Sequence, residues 1–133
     1  MIIGPFVTQH DIIEVRPDDT LTEAAARMRA RRVGSAVVPA EPSGTGFGII
    51  TERDILRATG DGADPHTAQV AAYMTSDAVT ITPKWHVVDA ATMMMEKGFR
   101  HLIVVDEGRI VGVLSIRDIV KALLQDRQRI AAG

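Results

Sequence analysis

The chain has 133 residues, of which 46% are hydrophobic and 24% charged, with a formal net charge of −2 at pH 7. This size and composition predict a soluble globular protein with one core, and the near-neutral charge argues against nucleic acid or an anionic membrane as the main partner. The absence of cysteine excludes disulfides, thiolate metal sites and cysteine nucleophiles. The sequence has no signal-peptide pattern and no apolar stretch long enough to cross a bilayer, so we expect a cytoplasmic protein.

An internal duplication is the most informative feature of the sequence. When Pro17 is placed on Pro83, the spacing of apolar residues after the two prolines coincides. The matched positions are Leu21, Ala24, Ala25 and Met28 in the first copy and Val87, Ala90, Ala91 and Met94 in the second. After a loop that is two residues longer in the first copy, residues 48–56 match residues 112–120. Several matching segments in one order indicate two copies of one structural unit.

Each copy predicts the element order strand, helix, strand, strand, helix. In the first copy, Thr20 and Glu23 have the spacing of a capping box, and the apolar residues behind them recur at i, i+3, i+4 and i+7, as in a helix with one buried face. The predicted elements of this copy are an extended segment at 12–15, a helix from Leu21, strands at 35–38 and 47–50, and a helix from near Thr51 that buries Ile55 and Leu56.

A linker rich in glycine and aspartate, residues 60–64, joins the copies. Asp64 followed by Pro65 is typical of an N-cap and a first helical position, so a short helix is predicted toward Met74. The predicted elements of the second copy are an extended segment at 78–81, a helix from Val87, strands at 101–105 and 109–114 around the turn Asp106-Glu107-Gly108, and a helix from near Ser115 that buries Ile119, Val120, Leu123 and Leu124.

We therefore expect an α+β fold made of two repeats, residues 7–60 and 73–126, joined by a linker with a short helix at 61–72. A single copy of about sixty residues would be marginally stable alone. Two copies that pack sheet against sheet, with their helices outside, would share a core. Such a pair would have pseudo-twofold symmetry and two equivalent clefts.

The sequence has no recognisable catalytic or metal site. Its four histidines lie in different predicted elements without metal-ligand spacing, and it has no nucleophile elbow, P-loop or evident pair of catalytic carboxylates. The glycine-rich run at 44–48 is predicted to be a turn inside a hairpin, whereas a dinucleotide-binding loop follows a strand and precedes a helix. We therefore expect a protein that is not an enzyme and holds no metal.

One motif occurs in both copies: glycine, two apolar residues, threonine or serine, any residue, arginine and aspartate. It spans Gly48–Asp54 and Gly112–Asp118, where a predicted strand ends and a helix begins. The hydroxyl and the acid of each motif have the spacing of a capping box, which satisfies free N–H groups in the first helical turn. Capping does not explain why the glycine and the arginine recur.

The same motif also suits a nucleotide site. A helix N-terminus attracts phosphate, the hydroxyl and the arginine would add to that attraction, and the glycine would let a ligand approach closely. The aspartate would accept hydrogen bonds from ribose hydroxyls. The binding residues would be Thr51, Arg53 and Asp54 in the first copy and Ser115, Arg117 and Asp118 in the second. The spacing of the motif alone supports helix capping and nucleotide binding equally.

The two copies differ on one helix face. Met93 and Met95 in the second copy stand where the first copy has Arg27 and Arg29. Exposed apolar patches on small proteins usually mark partner contacts. The face with Met93 and Met95 is either a helix face that is buried more deeply in the second copy or a subunit interface, and we predict that it lies in the contact of a homodimer.

These features together resemble the cystathionine-β-synthase (CBS) domain pair. The resemblance rests on the repeated element order, the motif above, the run Arg100–Asp106, and Tyr73-Met74-Thr75 ahead of the second copy, and it covers residues 7–124. No catalytic or transporter domain accompanies the repeats, so a stand-alone pair is expected.

The resemblance implies a regulatory module that binds an adenosyl ligand, with AMP, ADP or ATP expected first and NAD or S-adenosylmethionine as further candidates. It implies that the aspartate of each motif holds the ribose and that the hydroxyl contacts phosphate. The other implied contacts are Ile13, Glu14, Val79 and Thr80 to the base, and Arg100 and His101 to phosphate. The first copy has Gly34-Ser35 in place of the basic pair, so sites of unequal affinity are expected.

The first functional hypothesis is a homodimer that reports ligand occupancy to an unidentified regulated protein, without a membrane or nucleic-acid partner. The alternative is a protein-interaction adaptor with vestigial clefts, in which both motifs serve only as helix caps.

Overall fold

The structure is a computed structural model that describes residues 1–7, 12–41 and 46–132, with side chains described up to residue 127. Within these ranges the helices are α1 Leu21–Arg31, α2 Glu52–Gly60, α3 Val70–Tyr73, α4 Val87–Lys97 and α5 Ile116–Ala132. The strands are β1 Ser35–Val38, β2 Gly48–Thr51, β3 Thr80–Ile81, β4 His101–Asp106 and β5 Arg109–Ser115. None of the helices in these ranges is long and apolar enough to cross a membrane. Residues 44 and 45 of the glycine-rich turn predicted at 44–48 lie outside the described residues.

The chain divides into two compact units, residues 11–78 and residues 1–10 with 79–133. The unit of residues 11–78 carries the first copy, in which β1 and β2 pair antiparallel with Ser35 opposite Thr51. The extended segment before α1 joins this hairpin in parallel. Val15 N–H donates to the Val37 carbonyl at 2.9 Å, and Val37 N–H donates to the Ile13 carbonyl at 2.8 Å.

Helix α1 begins at the predicted capping box. Glu23 N–H donates to Thr20 Oγ1 at 3.1 Å, and Thr20 N–H donates to Glu23 Oε2 at 3.0 Å. The helix ends at Arg32, which adopts a left-handed conformation with φ of 56°. Its buried residues are Leu21, Ala24 and Met28.

The second unit repeats this arrangement. β3 pairs in parallel with β4, and β4 pairs antiparallel with β5. The predicted turn between β4 and β5 is a two-residue loop in which Glu107 and Gly108 have φ of 51° and 77°, a conformation that matches the twist of the flanking strands. The predicted α+β fold with two repeats is therefore confirmed.

The segment that precedes each copy packs in the unit of the other copy. Ile3 is fully buried in the core of the second copy, and its N–H donates to the Trp85 carbonyl at 2.8 Å. Likewise, Val70 of α3 is fully buried in the core of the first copy, and its N–H donates to the Asp19 carbonyl at 2.8 Å. The compact units are therefore a different division of the chain from the repeats at 7–60 and 73–126, whose boundaries stay a prediction.

The second helix of each copy buries a narrower face than predicted. In α5 the core contacts come from Ile119 and Ala122, and in α2 from Ala58 with Ile55 partly buried. The prediction of burial was wrong for Leu56, Val120, Leu123 and Leu124, which are exposed. Successive residues of a helix are rotated by about 100° around its axis, so a run of apolar residues covers more than one face. Such a run does not indicate which face packs against the core.

Two further details differ from the predictions. Helix α3 begins at Val70 and not at Pro65. The Asp64 side chain accepts from His66 N–H at 3.0 Å, as an N-cap does, but the turn that follows closes with Ala68 N–H donating to the Asp64 carbonyl at 2.8 Å and ends before α3. In α4, Met93 packs partly buried against the core, so only Met95, which is 81% exposed, belongs to the predicted outward face.

Candidate functional site

The motif of the first copy lies at the junction of β2 and α2, where Thr51 is the N-cap. Thr51 N–H donates to Asp54 Oδ2 at 2.9 Å, and Asp54 N–H donates to Thr51 Oγ1 at 3.3 Å. The Thr51 hydroxyl also donates to Asp54 Oδ2 at 3.1 Å. The capping box predicted for this motif is therefore complete.

The motif of the second copy has the same geometry at the junction of β5 and α5. Ser115 N–H and the Ser115 hydroxyl donate to Asp118 Oδ2 at 2.8 and 3.0 Å, and Asp118 N–H donates to Ser115 Oγ at 3.2 Å. Asp118 is only 9% exposed. Its other oxygen, Oδ1, has no hydrogen-bond or ion-pair partner in the described part of the chain. Asp118 Oδ1 is not among the fully buried side-chain atoms without a partner in the described ranges, so this oxygen faces solvent and is open to a hydrogen-bond donor of a ligand.

The first turn of each helix has few N–H groups left for a phosphate. Glu52 N–H donates to the Gly34 carbonyl at 3.0 Å, and Ile116 N–H donates to the Arg100 carbonyl at 2.9 Å. Since the capping box also takes the third N–H, the N–H groups of Arg53 and Arg117 are the ones that lack an acceptor among the described residues. Each motif hydroxyl already donates its proton to the aspartate, so it would have to turn away from Asp54 or Asp118 to donate to phosphate.

The fold brings the basic pair of the second copy to its motif. His101 opens β4 directly opposite Ser115, and the Arg100 carbonyl bonds the first turn of α5. His101 is half-buried and Arg100 is exposed. The Gly34-Ser35 pair occupies the equivalent place in the first copy, with Ser35 opposite Thr51.

The residues predicted to contact the base lie one strand away from the motifs. Glu14 pairs with Val37 of β1, and Thr80 pairs with Ile103 of β4. β1 and β4 in turn pair with β2 and β5, the strands that end in the motifs. One strand therefore lies between the predicted base-contact residues and each motif, which is a separation of two strand spacings or about 10 Å. Ile13 is buried, Val79 half-buried, and Glu14 and Thr80 exposed. Base contacts at these four residues stay a prediction.

The motif arginines and glycines show different roles. Arg53 and Arg117 are exposed, and neither side chain has a hydrogen bond or ion pair among the described residues. A Cβ atom on Gly48 would lie 3.1 Å from Met74 Sδ and 3.2 Å from Val38 Cβ. Gly48 therefore permits close packing inside its own unit, and not the close approach of a ligand that was predicted for it.

Sequence reasoning missed Arg57, which distinguishes the two motifs. Its Nη2 lies 3.5 Å from Asp54 Oδ1 and donates to the Tyr73 carbonyl at 3.3 Å. The equivalent residue of the second copy is Lys121, for which no ion pair to Asp118 is found in the described ranges. The sequence does contain a signal for this ion pair, because Asp54 and Arg57 are three residues apart on a predicted helix, a spacing at which an acid and a base can pair.

Histidine and carboxylate side chains do not converge on a possible metal site within the described ranges. The groups that the second motif presents are those of a binding site: a carboxylate acceptor at Asp118, the N–H donor of Arg117, and the exposed positive charge of Arg100 and Arg117.

Comparison with known families identifies the chain. The family model of the CBS domain matches residues 6–61 and 70–125, one match for each repeat. The chain belongs to the CBS domain family. The resemblance found in the sequence is thus confirmed, and the protein contains a CBS pair.

Curated relatives agree with this assignment. An uncharacterised 17.7 kDa protein of Acidianus ambivalens is 40% identical over 111 residues, which are 83% of this chain and 66% of that protein. The CBS domain-containing protein YhcV of Bacillus subtilis is 33% identical over 109 residues, 81% of this chain and 76% of YhcV. The chain spans between 42% and 66% of the length of the first three curated relatives that it matches.

Solved structures share the fold over nearly the whole chain. A CBS-domain protein of Burkholderia ambifaria superposes with a TM-score of 0.84 at 25% identity and covers 95% of this chain and 96% of its own. A CBS domain protein of Pyrobaculum aerophilum, solved in complex with AMP, superposes with a TM-score of 0.77 at 30% identity and covers 89% of each chain.

Proposed function

We propose that this CBS pair is a non-catalytic regulatory module that binds an adenosine-containing ligand, with AMP, ADP and ATP as the first candidates and NAD and S-adenosylmethionine as the others. The observation that carries the proposal is the Asp118 carboxylate, which is nearly buried and has one oxygen without a partner among the described residues. A ribose offers two adjacent hydroxyl donors, and an ionised carboxylate only accepts hydrogen bonds. The ribose therefore supplies what Asp118 Oδ1 lacks.

The surroundings of Asp118 suit the phosphate end of such a ligand. The Arg117 N–H has no acceptor in the described part of the chain, and it lies at a helix N-terminus, where the helix dipole favours an anion. Arg117 and Arg100 add exposed positive charge, and His101 lies opposite Ser115. The AMP complex of the Pyrobaculum aerophilum relative supports the adenosine assignment.

Calorimetric titration of the purified protein with AMP, ADP, ATP, NAD and S-adenosylmethionine tests the proposal. We expect saturable binding of at least one adenosine compound, and much weaker binding of CMP or inorganic phosphate as matched controls for the base and for the anion. No heat from any adenosine compound, or equal binding of CMP, would overturn the proposed function.

The alternative function is a protein-interaction adaptor whose motifs are only helix caps, and the complete capping boxes of both copies favour it. On this alternative, exchange of Asp118 or Asp54 lowers the melting temperature, and none of the five compounds raises it. The same calorimetric and thermal-shift titrations therefore separate the two functions.

We further propose that the module signals as a homodimer through the outer faces of α4 and α5. The two helices pack together in one unit and expose a set of large apolar side chains: Val88, Met95, Ile116, Val120, Leu123 and Leu124. The equivalent positions of the first copy are Thr22, Arg29, Glu52, Leu56, Thr59 and Gly60. Since this surface is apolar in one copy and mainly polar in the other, it supports contact between second copies in a twofold dimer.

Val120→Glu is expected to convert the dimer to a monomer, because it places a charge in an interface that excludes water. Val120 is half-exposed in the unit, so the fold should be retained. Leu56→Glu is the matched control at the equivalent position of the first copy, and it should leave the dimer intact. Sedimentation at micromolar concentration measures both, and a dimer that survives Val120→Glu would contradict this contact surface.

A further inference from the structure

The two motif carboxylates differ in how their outer oxygens are used. In both copies Oδ2 accepts the bonds of the capping box. Asp54 Oδ1 faces Arg57 Nη2 at 3.5 Å, whereas Asp118 Oδ1 has no partner among the described residues. In both copies Oδ2 of the aspartate therefore belongs to the helix cap, but only in Asp118 is Oδ1 without a partner among the described residues.

The position of Arg57 depends on the shape of its side chain. A planar guanidinium has several donors in fixed directions, so it can bridge two acceptors at once. Arg57 does this between Asp54 Oδ1 and the Tyr73 carbonyl, its hydrogen bond to the carbonyl being 3.3 Å long. Lys121 stands at the same position of the second copy, and its ammonium is a single point charge on a flexible chain. Among the residues that the structure describes, the Arg57 bridge therefore has no equivalent around Asp118.

We propose that Arg57 is an internal competitor for the ribose-binding carboxylate of the first repeat, so that the second repeat binds the adenosine ligand more tightly. The inference rests on the proposed function, because it uses the same aspartates. Asp54 Oδ1 can accept more than one hydrogen bond, but a ribose hydroxyl there has to share the oxygen with the Arg57 guanidinium 3.5 Å away, whereas Asp118 Oδ1 has no such neighbour among the described residues. Arg57 thus sets which of the two sites fills.

The expected size of the effect is moderate. The Arg57 side chain is 60% exposed and that of Asp54 is 14% exposed, and such ion pairs are weak because water screens them. The carbonyl hydrogen bond adds to the cost of moving Arg57. We expect removal of Arg57 to tighten binding at the first repeat by about three- to tenfold.

The test isolates one site at a time by AMP calorimetry. In the Asp118→Asn background, where the first repeat is the remaining site, Arg57→Ala should tighten AMP binding, and Arg57→Lys should tighten it as well because lysine does not form the bridge. Arg29→Ala, which removes an exposed charge from α1 of the same unit, is the control and should change nothing. In the Asp54→Asn background, Lys121→Arg should weaken binding at the second repeat.

The outcomes separate this inference from the proposed function. If Asp118→Asn abolishes the tight AMP site but Arg57→Ala leaves the first repeat unchanged or weaker, the inference is overturned and the proposed function stands. Weaker binding in Arg57→Ala would instead identify Arg57 as a phosphate ligand. If wild-type protein binds none of the adenosine compounds and Arg57→Ala binds none either, both fail together.

Discussion

Asp118→Asn is expected to raise the Kd for AMP at the second repeat by at least about tenfold, which corresponds to one lost hydrogen bond to a charged group. The substitution keeps the shape of the side chain, and its amide oxygen can still accept from Ser115 N–H, as Asp118 Oδ2 does at 2.8 Å. It removes the negative charge and leaves an NH₂ donor where a ribose hydroxyl needs an acceptor. Titration calorimetry measures the change, and urea unfolding checks that the fold is kept.

Glu23→Gln is the matched control for Asp118→Asn. The Glu23 carboxylate closes the capping box of α1 in the same way, with Thr20 N–H at 3.0 Å, and it belongs to neither motif. Both exchanges should cost about 1 kcal/mol or less of stability, but only Asp118→Asn should weaken AMP binding. Equal affinities in the two variants and in the Asp54→Asn, Asp118→Asn double variant would show that these aspartates are helix caps and nothing more.

Ile3→Ala is expected to lower the free energy of unfolding by about 2–5 kcal/mol, the usual cost of deleting a large side chain from a core. Ile3 is fully buried among residues of the second copy. Its backbone segment is held there by Ile3 N–H to the Trp85 carbonyl at 2.8 Å and Gly4 N–H to the Pro83 carbonyl at 3.0 Å. The loss should therefore destabilise α4, β4 and β5, although Ile3 precedes the first repeat in the chain.

The neighbouring Ile2 provides the control for this prediction. Ile2 is 44% exposed, so Ile2→Ala should change the free energy of unfolding by no more than about 0.5 kcal/mol. Urea unfolding followed by circular dichroism measures both variants, and hydrogen exchange shows which unit opens. If Ile2→Ala and Ile3→Ala had the same small effect, the amino-terminal segment would not be part of that core.

The local features of the fold could be predicted because each depends on a few neighbouring residues. Thr20 with Glu23 forms the capping box that its spacing indicates, and Glu107-Gly108 adopts the positive φ angles that hairpin turns require. The repeat itself is a pattern of identities and apolar spacing, and the family match to both copies confirms it.

The errors arose where burial depends on distant parts of the chain. Apolar residues cover two neighbouring faces of α5. The face with Ile119 and Ala122 packs in the core, whereas the face with Val120 and Leu124 is exposed. Met93 was assigned to the same outer face as Met95, but it packs partly against the core. Gly48 was predicted to admit a ligand, but Val38 and Met74 occupy the space beside it.

The sequence alone determined the duplication and its two motifs. Helix caps and turns depend on residues close together in the chain, and a repeat is visible when two segments of the sequence are compared. Only the tertiary structure shows that the segment before each copy packs in the core of the other copy. Ile3 and Val70 are buried by contacts between segments that are far apart in the chain. The difference between the two motifs has the same origin. It lies in where Arg57 is held, and that depends on the carbonyl of Tyr73, sixteen residues further along the chain.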